Sequence, residues 1–131
     1  MCSLSNYCQS SILNHIFGRS NFSSPEVYIG LLTTEPNEDG SNVSEPECQS
    51  YSRVSTNASS WDDAFEGSIE NISNITFSLA CENWGRITYF ALFDAVSGGN
   101  ILAYGSLSPS KDIKCGDIPR FAPGDLIVCL D

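Results

Sequence analysis

The sequence predicts a mainly β protein, a compact β-sandwich or small barrel carrying one N-terminal amphipathic helix. Three observations predict it. Short apolar runs rich in β-branched and aromatic residues recur at roughly 10-residue spacing, with turn residues between them. The run WGRITYFALFDAVSGGNILAYGSLS sets a Gly-Gly between two such stretches, which reads as a hairpin. Only the N-terminal stretch has helical spacing. Residues 1–18 are expected to form the helix and residues 19–131 a single β-sandwich-like domain, together one structural unit.

Leu4, Cys8, Ile12, Leu13, Ile16 and Phe17 fall at positions that share one face of a helix, and Gly18 is a natural stop just past its end. Residues 27–33, VYIGLLT, follow Pro25 and read as a strand. An acidic, turn-rich loop covers residues 34–50, and YSRVST (51–56) alternates as a half-buried strand does. In residues 57–73, Trp61 and Phe65 are candidates to anchor a loop over the core. NITFSLA (74–80) is a further strand.

Residues 86–94 and 101–107 are the two arms of the hairpin, with Gly98 and Gly99 supplying positive φ. Alternation sends Tyr89 and Phe93 to one face and Phe90 to the other, as expected of a sheet packed on both sides. IKCGD and IPRF read as short strand pieces, APGD as a turn, and LIVCL (126–130) as the last strand.

Composition narrows the function. The 131 residues carry 16 Asp and Glu against six Lys and Arg, a net charge of −10. Phosphate backbones require a basic face, so no nucleic-acid partner is expected. No run approaches the apolar length of a membrane span, so no membrane partner is expected. The first twenty residues lack the basic and apolar regions of a secretory signal, which points to synthesis in a cytosol.

The six cysteines include no CxxC and are expected to be free thiols. Cys81 and Cys129 lie among apolar residues and read as core positions, whereas Cys2 and Cys8 read as surface or end positions. Asn21, Asn42, Asn57, Asn71 and Asn74 open glycosylation sequons, but in Ser-rich loops they read as bare asparagines.

Residues able to do chemistry are few. His15, the one histidine, has no recognisable nucleophile or ligand beside it and reads as a helix-surface residue. Asp62 and Asp63 are adjacent, so on a strand they point to opposite faces. A hydrolase built on either acid with a loop glutamate is therefore disfavoured. Glu35, Asn37, Asp39 and Gly40 match the start of a calcium loop, but Pro46 stands where the bidentate glutamate belongs. Gly98-Gly99 lacks the spacing of a phosphate loop and leads into a strand. No catalytic, cofactor-binding or metal-ligating set is expected, and no cofactor.

The chain nevertheless carries a recognisable series: ILNHIFGRSNFSSP, VYIGLLTTEPNEDG, the Tyr-x-Arg of YSRVS, then NITFSLACENWGRITYFALFDAVSGGNILAYGSLS and IKCGDIPRFAPGDLIVCLD. Over residues 11–131 it resembles a family of short tailed-bacteriophage virion proteins, of the tail-fibre-like or head-decoration kind. Its most specific residues are Trp84, Gly85, Phe93, Asp94, Ala95, Gly98, Gly99 and Asn100. The acidic, Pro-rich loop 35–49 and the six cysteines depart from the family pattern.

The resemblance implies a non-enzymatic structural protein on the particle surface, present in host cytoplasm during assembly. The first expectation is a capsid decoration (cement) protein, a homotrimer clamped onto the major capsid protein. The alternative is a tail or baseplate fibre-like protein that contacts other tail proteins and the host receptor. Ile12, Leu13, Ile16 and Phe17 are the expected interface residues, and loss of residues 1–18 is expected to weaken trimer formation or folding.

Overall fold

A computed structural model describes residues 2–130. In chain order the elements are β1 (Cys2–Leu4), α1 (Asn6–Ile16), β2 (Tyr28–Leu32), β3 (Val54–Ser55), β4 (Ser68–Glu70), β5 (Ile75–Thr76), β6 (Gly85–Phe93), β7 (Ile101–Ile113), β8 (Arg120–Phe121) and β9 (Ile127–Cys129). Seven strands form one sheet in the order β3-β2-β6-β7-β1-β9-β4, and β5 pairs with β8 in a second. Every pairing is antiparallel except that of β1 with β9. The large sheet is open, so the sandwich is realised and the barrel is not.

Alternation along β6 works as expected. Phe90 and Leu92 enter the main core, whereas Tyr89, Ala91 and Phe93 enter a second cluster on the opposite face with Leu32, Ile101 and Tyr104. The small sheet closes over the main core through aromatic contacts. Phe121 on β8 meets Phe90 edge-on at 6.0 Å and Phe77 at 6.2 Å, and Tyr51 meets Trp84 edge-on at 5.3 Å. Such pairs add about 0.5–1.5 kcal/mol each beyond the area they bury.

The register of the long hairpin shifts twice, between Leu92 and Phe93 near the turn and between Ile87 and Tyr89 further along. Ile87 faces Lys111 but Tyr89 faces Ser106, so β7 carries extra residues around Pro109, which has no N–H to give a ladder. The interruption between Ile87 and Tyr89 shifts the alternation by one, and Ile87 joins Phe90 in the main core.

The N-terminal expectation needs correction. The helix starts at Asn6, and Cys2–Leu4 form a strand inserted between β7 and β9. Leu4 therefore reaches the core from a strand, and its helical spacing with Cys8 is coincidental. Ser5 makes the break. Its N–H donates to the Leu102 carbonyl at 2.9 Å, its Oγ–H donates to the Ile101 carbonyl at 2.5 Å, and its Oγ accepts from the Cys8 N–H at 3.2 Å. That is an N-cap anchored in the sheet. Gly18 ends the helix as expected, with φ +76°.

Two expected strands shrink to two residues each, β3 and β5, with side chains taking up backbone N–H groups beside them. The Leu31 N–H donates to the Tyr51 hydroxyl at 3.0 Å, and the Cys81 N–H donates to Ser50 Oγ at 3.2 Å. Trp61 does pack against the core, whereas Phe65 is 73% exposed at the tip of a tight turn and anchors nothing.

Three cysteine expectations are also overturned. Cys8 is buried, since it lies on the helix face that meets the sheet, with Ile12 one turn on. Cys81 is exposed because it sits in the bend between β5 and β6, and Cys129 is only half-buried. No helix among the described residues is long and apolar enough to cross a membrane.

Candidate functional site

The motif residues at 84–100 and the Tyr-x-Arg of β3's approach meet in space. Arg53 is 9% exposed and reaches across the edge of β2. Its Nη2 and Nε donate to the two carboxylate oxygens of Glu45 at 2.7 and 3.0 Å, and its Nη1 donates to the carbonyls of Ala95 and Gly98 at 2.8 and 2.9 Å. The guanidinium carbon lies 3.5 Å from the centre of the Phe93 ring. The planar fork is engaged through Nε and both terminal nitrogens, and the ring face is capped by a desolvated cation.

Tyr51 completes this cluster by donating its hydroxyl to Glu45 at 2.5 Å. Burial, and then the Glu45 hydrogen bond and charge, raise its pKa well above the ordinary tyrosine range. Gly30 gives the cluster room: a Cβ there would lie 2.8 Å from the Phe93 ring and 3.1 Å from both Glu45 and the Tyr51 hydroxyl.

Asp94 shapes the adjoining turn. Its carboxylate accepts from the Asn100 N–H at 2.7 Å and from the Asn100 side-chain amide at 3.0 Å. Gly98 and Gly99 have φ +63° and +71°, and a Cβ on Gly99 would lie 2.5 Å from Asp94 Oδ1. At the other end of β6, Gly85 has φ +96° and Trp84 donates its indole N–H to Ser50 Oγ at 2.9 Å. These groups hydrogen-bond to one another and to the backbone of the turn. The arrangement holds a turn.

Residues 3–129 match the model of a family described as podophage GP4 fiber I protein gp80. The chain belongs to this family. It is a structural phage protein of fibre type, associated with the virion. No curated protein matches it. In this fibre-family chain the resemblance motif is the hairpin and its latch, which explains why it contains scaffold residues only.

The other candidate positions are dispersed. Ile12 packs against the core, but Leu13, Ile16 and Phe17 are 57%, 66% and 75% exposed on the outer side of α1. His15 Nδ1 accepts from the Phe22 N–H at 3.2 Å and so ties down the segment after the helix. Asp62 and Asp63 line an open recess of about 490 Å³ with Phe65, Glu66 and Glu70. In the acidic loop, Asp39 accepts from the Ser41 N–H and hydroxyl at 2.9 and 2.6 Å, which lowers its pKa.

Sequence reasoning missed three residues. Glu45 is one of several acids in the loop 34–50 and nothing in the sequence sets it apart, yet it is the ion-pair partner of Arg53. Asn71 read as a sequon, yet it is 1% exposed, accepts from the Leu126 N–H at 2.9 Å, and donates to the carbonyls of Ser73 and Ala122 at 2.9 and 3.0 Å. Ser5 carried no signal at all. The polar partners of all three lie far away in the chain or in an irregular loop, so no local pattern announces them.

Proposed function

We propose that this chain is a non-enzymatic component of the phage tail-fibre apparatus that contributes to host receptor binding. The observation that carries the reading is the match of residues 3–129 to a podophage fibre family. The polar groups of the latch support a building role, since all three nitrogens of the Arg53 guanidinium hydrogen-bond within the fold. The chain is further proposed to assemble with copies of itself, as a trimer, and with other tail proteins. Its exposed helix residues Leu13, Ile16 and Phe17 are the apolar contact available for that. Decoration of the head shell is the reading that a fibre description favours less.

Antibody labelling of intact particles tests the location. Label confined to the tail supports the fibre reading, and label spread over the head lattice replaces it with the cement reading. Competition of phage adsorption by the purified chain tests receptor contact. Undiminished adsorption at saturating protein would remove that part of the proposal and leave the fibre role standing.

A further inference from the structure

Three cysteines from separate segments converge on the bend between β5 and β6. The Cys115 thiol donates to the Cys81 carbonyl at 3.3 Å, and the Cys48 thiol donates to the Asn83 carbonyl at 3.5 Å. The backbone beneath them is fixed. Ala80 N–H donates to Asp117 O at 2.8 Å, Gly116 N–H to Ala80 O at 2.7 Å, and Trp84 N–H to Ile113 O at 2.9 Å. The segment 80–84 is thereby held against Ile113 and the tight turn that follows it, which the Asp117 N–H closes onto the Lys114 carbonyl at 3.0 Å, with Ala80 bonded to both Gly116 and Asp117.

Cys81 and Cys115 lie one step beyond that doubly bonded position. Neither gives its N–H to the other segment's backbone: Cys81 N–H goes to Ser50 Oγ at 3.2 Å and Cys115 N–H goes to Asn83 Oδ1 at 3.0 Å. The Cys115 sulfur already lies against the Cys81 main-chain carbonyl, so the two residues are direct neighbours at this bend. A disulfide spans Cα separations of about 4.4–6.8 Å. Both thiols are free and exposed, so a small oxidant can reach them.

We propose that Cys81 and Cys115 form an oxidation site, joined as an intrachain disulfide when the chain meets a low-molecular-weight disulfide such as glutathione disulfide. One cysteine thiolate attacks the glutathione disulfide, forming a mixed disulfide and releasing one glutathione thiol. The second cysteine thiolate attacks the protein-side sulfur and releases the other. Two electrons pass from the protein to glutathione, and the two thiol protons end on the released glutathione thiols. Cys48 is the poorer partner: partial burial, with Glu82 and Glu47 nearby, raises its pKa and depletes its thiolate.

The cross-link would close the loop that contains the whole β6–β7 hairpin, restricting the unfolded chain. A virion passes from a reducing cytosol to an oxidising exterior. The fold can thus be completed with free thiols and the staple added after release.

The full chain, purified under reducing conditions, is equilibrated with glutathione disulfide, alkylated, digested without reductant and mapped by mass. The expected product is a peptide pair joined through Cys81 and Cys115, lighter by the two thiol hydrogens. It is retained in Cys48→Ser and lost in Cys81→Ser and Cys115→Ser. The oxidised wild type is expected to melt higher than the reduced form, with no such shift in Cys115→Ser. Alkylation of both thiols, glutathione on each without a cross-link, or a dominant link to Cys48 or to a second chain would each overturn the proposal. The wild-type map decides the matter even where a serine variant fails to fold.

Discussion

Arg53 lies flat against Phe93, its guanidinium carbon 3.5 Å from the ring centre, while it pairs in two-point fashion with Glu45. This contact joins the loop before β3 to the turn between β6 and β7, segments more than forty residues apart in the chain. With the Arg53 side chain 5% exposed and that of Glu45 20% exposed, removal of the cation leaves the carboxylate without its counter-charge, held by the Tyr51 hydroxyl alone, and takes the Arg53 donors from two carbonyls. Arg53→Ala is expected to lose about 3–5 kcal/mol of unfolding free energy, the range for breaking a buried pair. Arg53→Lys keeps the charge but not the fork and is expected to lose less. Urea denaturation of both variants measures this, and a loss in Arg53→Ala no larger than a surface substitution gives would contradict the latch.

The two turn glycines are expected to differ. Gly99→Ala meets both a left-handed backbone and an atom 2.5 Å from the new Cβ, whereas Gly98→Ala meets the left-handed backbone alone, with nothing within 4 Å. Gly98→Ala is expected to cost about 1 kcal/mol. Gly99→Ala is expected to cost more, towards about 3 kcal/mol. Thermal unfolding of the pair checks the order, and equal melting temperatures would show that Asp94 moves aside freely.

Tyr51 and Cys8 make stability fall at alkaline pH. Burial, followed by the Glu45 hydrogen bond and charge, raises the Tyr51 pKa, and burial raises that of Cys8. Each folded pKa lies above its unfolded value, so the stabilisation is complete below the unfolded pKa. It is lost as pH rises past about 8.5 for the thiol and about 10 for the phenol. Denaturation midpoints are expected to be flat near neutrality and to decline above these values, with a shallower decline in Tyr51→Phe. Tyrosinate absorbance from Tyr51 is expected to appear only together with unfolding, and its appearance in the still-folded chain would refute the assignment.

Removal of residues 1–18 is expected to prevent folding, since it withdraws β1 from between β7 and β9 along with the Ser5 cap. Leu13→Ser, Ile16→Ser and Phe17→Ser combined are expected to leave the melting temperature nearly unchanged, because those side chains are 57%, 66% and 75% exposed. Circular dichroism of both proteins is the measurement. A folded, cooperatively melting deletion protein would show that β1 is dispensable.

The hairpin, its two glycines and the division of β6 into two faces were legible in the sequence because each depends on neighbours along the chain. Alternating side chains and a Gly-Gly need no distant information. The oxidation site was not legible: Cys81 and Cys115 are separated by the entire β6–β7 hairpin, and their spacing matches no motif. Glu45 was not singled out, for a different reason. Its loop looks like other acidic loops, and only the irregular path of that loop, which lays Arg53 eight residues on against it, makes it a structural residue.

By itself the sequence determined the mainly β class, the position of the helix stop, the alternation and the virion family, since these follow from local geometry or from residues in fixed order. The tertiary structure alone decided that the first residues are an interior strand, that Asn71 and Ser5 are buried hubs, and that Arg53 closes the turn at residues 95–98. Backbone groups and charges must find partners wherever the fold leaves them. Which partner is in reach depends on strand order, a property no local segment carries.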